Sequence, residues 1–146
     1  MANAVDILLV EDDPDDLVLA FHALRRLHLA DRVAVVRDGA EALDFLFGTG
    51  DYAQRRLEIR PKVILLDLKL PKVTGLEVLQ RLKADPRTQP IPVVVFTSSA
   101  QEHDVAESYR LGVNSYLLKP LDVNGLTESL RQIGRYWLEL NRPAPG

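Results

Sequence analysis

The amino-acid sequence predicts an α/β protein in which five parallel strands alternate with helices in one doubly wound domain. The chain has 146 residues, a length that suits a single domain with a sizeable hydrophobic core. Five short runs rich in Val, Ile and Leu recur along it, and most lack the polar alternation of a half-exposed strand. Between these runs, apolar residues repeat every three or four positions, as they do in amphipathic helices.

The five runs predict strands that are buried on both faces of a parallel sheet. They are Ile7–Val10, Val33–Val36, Val63–Asp67, Val93–Thr97 and Ser115–Leu118. Right-handed crossovers between parallel strands favour the spatial order 2-1-3-4-5. With helices on both faces, this order describes a three-layer, flavodoxin-like sandwich.

Apolar residues that recur every three or four positions predict the helices between the strands. The first stripe is Leu17, Ala20, Phe21, Leu24 and Leu27; the third helix has Leu76, Val78, Leu79 and Leu82; the last has Leu126, Leu130, Ile133, Trp137 and Leu140. Asp13, which precedes Pro14, is placed to cap the first helix. Asp85-Pro86 ends the third helix, because proline removes a backbone donor.

The domain is predicted to span residues 1–140, followed by a C-terminal tail of residues 141–146. The connection from Gly48 to Pro61 is long, and connections of this length are often functional or partly helical. The tail, Asn141 to Gly146, contains two prolines and cannot continue a helix. After Lys119 we expect only one helix and this tail, which is too little for a DNA-binding output domain.

Composition excludes several classes of protein. The net charge of −3 gives no general attraction to nucleic acid. Without cysteine the chain has neither disulfide nor thiolate chemistry. Its apolar runs are too short to cross a bilayer, and its beginning lacks the basic and apolar regions of a signal peptide. We therefore expect a cytoplasmic protein that binds neither nucleic acid nor membrane.

Four predicted strands deliver chemically active side chains at their carboxyl ends. These are Glu11 and Asp12 after the first strand, Asp67 at the third, Thr97 at the fourth, and Lys119 after the fifth. In an open parallel sheet these ends meet at one crevice, where ligands bind. Carboxylates, a hydroxyl and an ammonium gathered there predict a Mg²⁺ site that handles a phosphoryl group.

The chemistry assigns a role to each group. Asp67 is the candidate nucleophile, because carboxylates are known to form aspartyl phosphates. Glu11 and Asp12 are candidates to hold Mg²⁺, directly or through water, which relieves the repulsion between clustered carboxylates. Lys119 offers a positive charge and Thr97 a hydroxyl donor to the phosphoryl group. Each group alone also fits an ordinary cap, turn or surface residue; their joint arrival at one edge is what favours a site.

The chain resembles the receiver domains of two-component response regulators over nearly its whole length. The resemblance rests on Val10-Glu11-Asp12-Asp13, Asp67-Leu68-Lys69-Leu70-Pro71 with Gly75, Thr97-Ser98, and Tyr116-Leu117-Leu118-Lys119-Pro120. It implies that a sensor histidine kinase phosphorylates Asp67, and that the chain itself supports phosphotransfer and autodephosphorylation without being a conventional enzyme. It also implies a Mg²⁺ site formed by Glu11, Asp12, Asp67 and the backbone carbonyl of Lys69.

The resemblance implies a switch as well. Thr97 and Tyr116 are expected to turn inward together after phosphorylation, so that the face bound by partners changes. Family precedent further implies a cis peptide bond between Lys119 and Pro120.

A narrower resemblance links the chain to stand-alone regulators associated with bacterial phytochrome kinases. It rests on the long Gly48–Pro61 connection, on Lys72, and on the ending from Tyr136 to Pro143. It implies a light-regulated kinase and a homodimer.

Two contact surfaces are predicted. On the first helix, Leu19, His22, Ala23 and Arg26 are expected to form an exposed strip on which the kinase docks. The predicted dimer surface comprises Tyr136, Trp137, Leu138 and Leu140, where clustered aromatic and aliphatic groups mark an interaction surface. Within it, Trp137 and Leu140 are expected to extend the core-facing stripe and Tyr136 and Leu138 to point elsewhere.

Two other functions fit parts of the pattern. A phosphatase of the haloacid dehalogenase type also forms an aspartyl phosphate, but it needs a second Asp two residues after the nucleophile, where this chain has Lys69. A flavodoxin-like FMN carrier needs a phosphate-binding loop after the first strand, and the acidic run from Glu11 to Asp16 would repel phosphate.

Overall fold

The structure, a computed structural model, describes residues 5–145. Met1–Ala4 of the predicted domain and Gly146 of the predicted tail lie outside the described residues. The strands are β1 (Ile7–Val10), β2 (Val33–Val36), β3 (Val63–Leu66), β4 (Val93–Thr97) and β5 (Ser115–Leu118). The helices are α1 (Pro14–Arg26), α2 (Gly39–Phe47), α3 (Gly75–Ala84), α4 (Glu102–Arg110) and α5 (Val123–Gly134).

All five strands are parallel, and their order is β2-β1-β3-β4-β5. The predicted fold class and strand order are confirmed. Strand bounds agree with the prediction except that β3 ends at Leu66, so Asp67 stands just beyond the strand. Because the order reverses next to β1, the carboxyl ends of β1 and β3 open onto the crevice expected for this topology.

Two hydrophobic layers lie on opposite faces of the sheet. Leu8 and Val10 of β1 pack toward α2 and α3, whereas Ile7 and Leu9 pack toward α1 and α5. All four side chains are buried, which is the reason that β1 reads as a continuous apolar run. No helix within residues 5–145 is long and apolar enough to cross a membrane.

Helix α1 begins where the sequence predicts. The Asp13 carboxylate accepts hydrogen bonds from the backbone N–H groups of Asp15 at 2.9 Å and Asp16 at 3.1 Å. Pro14 occupies the first helical position, where no backbone donor is needed. The start of α1 therefore lies beside the carboxyl end of β1.

The long connection after α2 packs against that helix. Gly48 ends α2 with φ of 68°, a left-handed conformation that side chains rarely adopt. A 3₁₀ turn follows at Gly50–Tyr52, and the Tyr52 hydroxyl donates a 2.6 Å hydrogen bond to Glu41 of α2. The Arg55 guanidinium stacks on the Phe45 ring, 4.2 Å from its centroid.

Beyond Gly134 the helical periodicity changes, and this corrects one prediction. Arg135–Leu140 forms a π-helical turn, closed by a bond from the Asn141 N–H to the Tyr136 carbonyl. Each π turn holds more residues than an α turn. As a result Trp137 and Leu138 both pack against the core on the α1 side, and Leu140 is 57% exposed. The expectation that Leu140 continues the core-facing stripe, and that Leu138 points elsewhere, is wrong.

Candidate functional site

The four predicted strand ends do meet. Glu11 follows β1, Asp67 follows β3, Thr97 ends β4, and Lys119 follows β5. Glu11, Asp67 and Thr97 are buried, with 3%, 7% and 0% of their surface exposed. The side chain of Lys119 is 10% exposed. Polar groups buried to this degree need partners, and here they are partners of one another.

Backbone hydrogen bonds beyond the strand ends hold these residues in place. The Asp67 N–H donates to the Val10 carbonyl at 3.1 Å, and the Lys119 N–H donates to the Thr97 carbonyl at 2.8 Å. The parallel ladder thus continues for one residue past β3 and β5. The positions of Asp67 and Lys119 are therefore set by the hydrogen bonds of the sheet.

Both oxygens of the Asp67 carboxylate have donors. Oδ1 accepts from the Thr97 hydroxyl at 2.9 Å and from the backbone N–H of Lys69 at 3.2 Å. Oδ2 accepts from the Lys119 ammonium at 3.0 Å. Three elements thus converge on one carboxylate, in the arrangement that stabilises negative charge at this position.

The Lys119 ammonium contacts three carboxylates. Besides Asp67, it lies 2.5 Å from Glu11 Oε2 and 3.0 Å from Asp16 Oδ2. Asp16 is the residue that the sequence reasoning missed. The signal available was its position in the first turn of α1, three residues after the capping Asp13, beside the end of β1.

The charges explain the pKa directions. Burial raises the pKa of Glu11 to about 7, with the neighbouring Asp67 adding to the rise and Lys119 opposing it. Burial also acts to raise the pKa of Asp67, but the charge of Lys119 and the hydrogen bonds outweigh it and hold that pKa below its ordinary value. Burial lowers the pKa of Lys119, yet the carboxylates of Glu11 and Asp67 reverse this and raise it. Asp67 is therefore the ionised carboxylate, as a nucleophile must be.

Oxygen ligands suitable for Mg²⁺ are gathered here. Carboxylate oxygens of Glu11, Asp16 and Asp67 lie within 4.8 Å of one another. Mg²⁺ prefers a few carboxylates together with water and phosphate oxygens, so Mg²⁺ is the cofactor that this site fits. Of the predicted ligands, Glu11 and Asp67 are in the cluster; Asp12 is half-buried and outside it, and Asp16 takes part instead.

The predicted switch residue contacts the loop after β4. The Tyr116 hydroxyl donates a 2.8 Å hydrogen bond to the Ser99 carbonyl. The buried Ser99 hydroxyl in turn donates to Asp104 of α4 at 2.5 Å. Tyr116 and Thr97 therefore lie on either side of the same loop, which links the edge of the sheet that carries Asp67 to α4.

One expectation about the backbone is wrong. No peptide bond within residues 5–145 is cis, so the Lys119–Pro120 bond is trans. The trans form is the lower in energy for an X–Pro bond, by about 0.5–1 kcal/mol.

The predicted docking strip on α1 needs correction. Ala23 is fully buried and Leu19 is half-buried, because both pack into the layer between α1 and α5. His22 and Arg26 are exposed as predicted. The exposed apolar residue of this helix is Val18, with 67% of its surface accessible.

Comparison with known sequences identifies the class of protein. The response regulator receiver domain family matches residues 7–131. The chain belongs to this family and is a phosphoryl-accepting signalling domain of a two-component system.

Individual relatives are similar over nearly their whole length. The chain is 44% identical over 140 residues to a probable methanogenesis regulatory protein, FilR2 of Methanothrix harundinacea, covering 96% of this chain and 87% of the relative. It is 42% identical over 133 residues to the response regulator Rcp1 of a Synechocystis species, covering 91% and 88%.

Two solved structures are close in fold. One is the phosphorylated cyanobacterial phytochrome response regulator RcpA, with a TM-score of 0.86, 40% identity, and coverage of 95% of this chain and 97% of that one. The other is the Mn²⁺-bound form of Rcp1, with a TM-score of 0.84, 40% identity, and coverage of 95% and 98%.

Proposed function

We propose that this chain is a stand-alone response regulator in which Asp67 accepts the phosphoryl group of a sensor histidine kinase. The observation that carries this proposal is the coordination of the Asp67 carboxylate. It is buried and ionised, and donors from Thr97, Lys69 and Lys119 surround its two oxygens at 2.9–3.2 Å. Phosphoryl transfer depends on this kind of positioning and charge neutralisation more than on acid–base chemistry.

In the transfer, an oxygen of Asp67 forms a bond to phosphorus while the bond from phosphorus to the donor breaks. The ammonium of Lys119 and the hydroxyl of Thr97 already flank the acceptor, so each is placed to donate to a phosphoryl oxygen. A charge-assisted hydrogen bond of this kind contributes about 1.5–3 kcal/mol. The Lys69 N–H remains as a donor to Oδ1 of Asp67, while the other oxygen attacks phosphorus.

Glu11, Asp12, Asp67 and the backbone carbonyl of Lys69 would hold Mg²⁺. The carboxylate cluster itself contains Glu11, Asp16 and Asp67, and Asp12 is adjacent to Glu11 in the chain. When bound, Mg²⁺ supplies positive charge to the phosphoryl oxygens and offsets the repulsion among the carboxylates. We further propose that the same groups support slow hydrolysis of the acyl phosphate by the protein itself.

The switch is proposed to run through Thr97 and Tyr116. A phosphoryl group that draws the Thr97 hydroxyl away from Asp67 shifts the end of β4. The loop after β4 is bonded to Tyr116 and to α4 through Ser99, so the shift is passed to both. The face formed by α4 and β5 is then the face whose partner binding changes.

Substitution of the acceptor tests the proposed function. Asp67→Asn keeps the shape of the side chain but removes the nucleophilic charge, so neither a histidine kinase nor acetyl phosphate should label it. Intact-mass measurement with Mg²⁺ should show one phosphoryl group on the wild type and on Asp31→Asn, a matched exposed control far from the site. Normal labelling of Asp67→Asn would place the acceptor elsewhere.

The kinase is proposed to dock on the exposed side of α1. Val18 and His22 lie one turn apart on this helix, and Arg26 lies a further turn along. Leu19 and Ala23 of the predicted strip pack into the hydrophobic layer between α1 and α5 instead. Val18→Asp should slow phosphotransfer from the kinase and leave labelling by acetyl phosphate unchanged. The matched control is Ile59→Asp, at an exposed apolar position in the connection between α2 and β3. Equal slowing by both substitutions would refute α1 as the docking surface.

We propose that the kinase is a bacterial phytochrome and that the active form of this chain is a homodimer. It acts in the cytoplasm, where ATP is available to the kinase, and it does not bind nucleic acid. Support for the kinase comes from the phytochrome association of RcpA. Support for the dimer comes from Tyr136 and Leu140, which are 49% and 57% exposed, beside half-buried Trp137 and Leu138. Together they form an apolar surface at the end of the chain.

Sedimentation tests the dimer. The wild type should sediment as a dimer at tens of micromolar, and the double variant Tyr136→Ala/Leu140→Asp as a monomer. Val18→Asp, which adds the same charge to α1, should remain dimeric. A wild type that stays monomeric with and without phosphorylation would refute the proposal.

A further inference from the structure

The Lys119 ammonium has a third carboxylate partner that no strand end supplies. Its three donors point to Glu11 at 2.5 Å, Asp16 at 3.0 Å and Asp67 at 3.0 Å. An ammonium has three N–H groups, so all of its donors are in use. Asp16 joins the start of α1 to the end of β5 across the mouth of the site.

The orientation of Asp16 has a local cause. Asp16 is the third residue of α1, a position from which an acidic side chain commonly reaches back to the backbone N–H of the capping residue. Here that N–H, of Asp13, instead donates to Glu11 Oε1 at 3.0 Å. The Asp16 carboxylate is therefore left free to turn toward Lys119. Its side chain is 39% exposed, against 4% for Glu11, so Asp16 lies at the rim and Glu11 at the base.

We propose that Asp16 is a positioning residue that holds the Lys119 ammonium at the rim and opposes its transfer to the phosphoryl group. This inference rests on the proposed function of Asp67. An Asp16 oxygen lies within 4.8 Å of an Asp67 oxygen, so an anion arriving at Asp67 meets the negative charge of Asp16 as well as the positive charge of Lys119. The contact between Asp16 and Lys119 must also compete with a contact between Lys119 and phosphate.

Two substitutions separate the charge of Asp16 from its hydrogen bond. Asp16→Asn keeps an oxygen that can accept from Lys119 and removes the negative charge. Asp16→Ala removes both the charge and the acceptor. If the charge opposes the phosphoryl group, both variants should bind an anionic phosphodonor more tightly. If the contact also aligns the ammonium, Asp16→Ala should in addition have a lower maximal rate than Asp16→Asn.

The experiment uses acetyl phosphate as the donor at saturating Mg²⁺. An Asp67 oxygen attacks phosphorus, the bond from phosphorus to the acetate oxygen breaks, and acetate leaves. We expect Asp16→Asn to lower the KM for acetyl phosphate about three- to tenfold, the size of one screened charge at about 5 Å from a dianion. The maximal rate of labelling should be little changed.

The matched control is Asp15→Asn. It removes the same charge from the same turn of α1, but Asp15 has an exposed side chain that does not contact Lys119. A KM of Asp16→Asn equal to that of Asp15→Asn would overturn the proposal. So would a Mg²⁺ affinity, measured by titration without donor, that falls at least tenfold in Asp16→Asn alone, since Asp16 would then be a metal ligand. If the wild type itself is not labelled, the proposed function of Asp67 fails instead.

Discussion

Replacing Lys119 by Met removes the only positive charge in contact with the site carboxylates, among the residues that the structure describes. The side chains of Glu11 and Asp67 are 4% and 8% exposed, so without Lys119 two carboxylates stay buried with no counter-charge. Removing one partner of a buried ion pair costs about 3–5 kcal/mol. The cost is reduced here because the pKa of Glu11 is already raised to about 7, and this carboxyl can take up a proton.

We therefore expect Lys119→Met to lower the free energy of unfolding by about 3 kcal/mol at pH 7.5 in metal-free buffer. At pH 5 the loss should be smaller, because Glu11 is then mostly protonated in the folded protein. Mg²⁺ should restore about half of the loss or more, since it supplies the missing positive charge. The stability of this variant should thus depend on Mg²⁺ more strongly than that of the wild type.

Urea unfolding measures the effect, with the fluorescence of Trp137, the single tryptophan of the chain, as the probe. Lys62→Met is the matched control, because Lys62 lies 3.9 Å from Asp6 and is 41% exposed. That pair should contribute no more than about 1 kcal/mol, with no dependence on Mg²⁺. A loss in Lys119→Met that is no larger than in Lys62→Met, or that Mg²⁺ does not change, would show that Lys119 does not neutralise the buried carboxylates.

Two further predictions concern Gly75 and Glu11. A Cβ at Gly75 would lie 2.4 Å from the Asp67 carbonyl oxygen. Gly75→Ala should therefore lower the free energy of unfolding in urea by at least about 1–3 kcal/mol, and it should slow the labelling of Asp67. Gly134→Ala is its control: the new Cβ would meet only the end of the Leu29 side chain at 3.0 Å, and a stability change above about 1 kcal/mol there would contradict the argument. The pKa of Glu11 rises from an ordinary 4.5 to about 7 on folding, so between these pH values the folded chain binds more protons and its metal-free stability should fall as pH rises. The decrease in the free energy of unfolding should be on the order of 3 kcal/mol at most, and it should be absent in Glu11→Gln. The measurement is the urea midpoint from pH 4.5 to 7.5. Midpoints that decline equally in both proteins would show that another group is responsible.

The strands and their order were predictable from the sequence for a physical reason. Strands buried on both faces are continuously apolar, so runs such as Ile7–Val10 can be recognised in the sequence. Because crossovers between parallel strands are right-handed, few strand orders remain possible. The same topology brings the strand ends together, which is why Glu11, Asp67, Thr97 and Lys119 could be placed in one site before any distance was known. The cap at Asp13 was predictable because its cause is local.

Two surfaces depended on packing that the sequence pattern does not encode. The apolar residues of α1 cover more than one side of the helix, and only the position of α5 decides that Ala23 is buried while Val18 is exposed. The change to π-helical geometry after Gly134 alters the number of residues per turn, so a stripe extrapolated at the α period assigned Leu138 and Leu140 to the wrong sides.

Strand direction and chain order place each strand end, so the sequence was sufficient to predict which groups meet at the site. How those groups share their charges depends on the tertiary structure. Lys119 and Asp16 are 103 positions apart, and they meet because the Lys119 side chain, which follows β5, reaches the start of α1 beside β1. The Asp13 N–H donates to Glu11 instead of Asp16, so the Asp16 carboxylate is available to the Lys119 ammonium. Which acceptor takes that N–H depends on the three-dimensional positions of both carboxylates, and neither periodicity nor a motif encodes these positions.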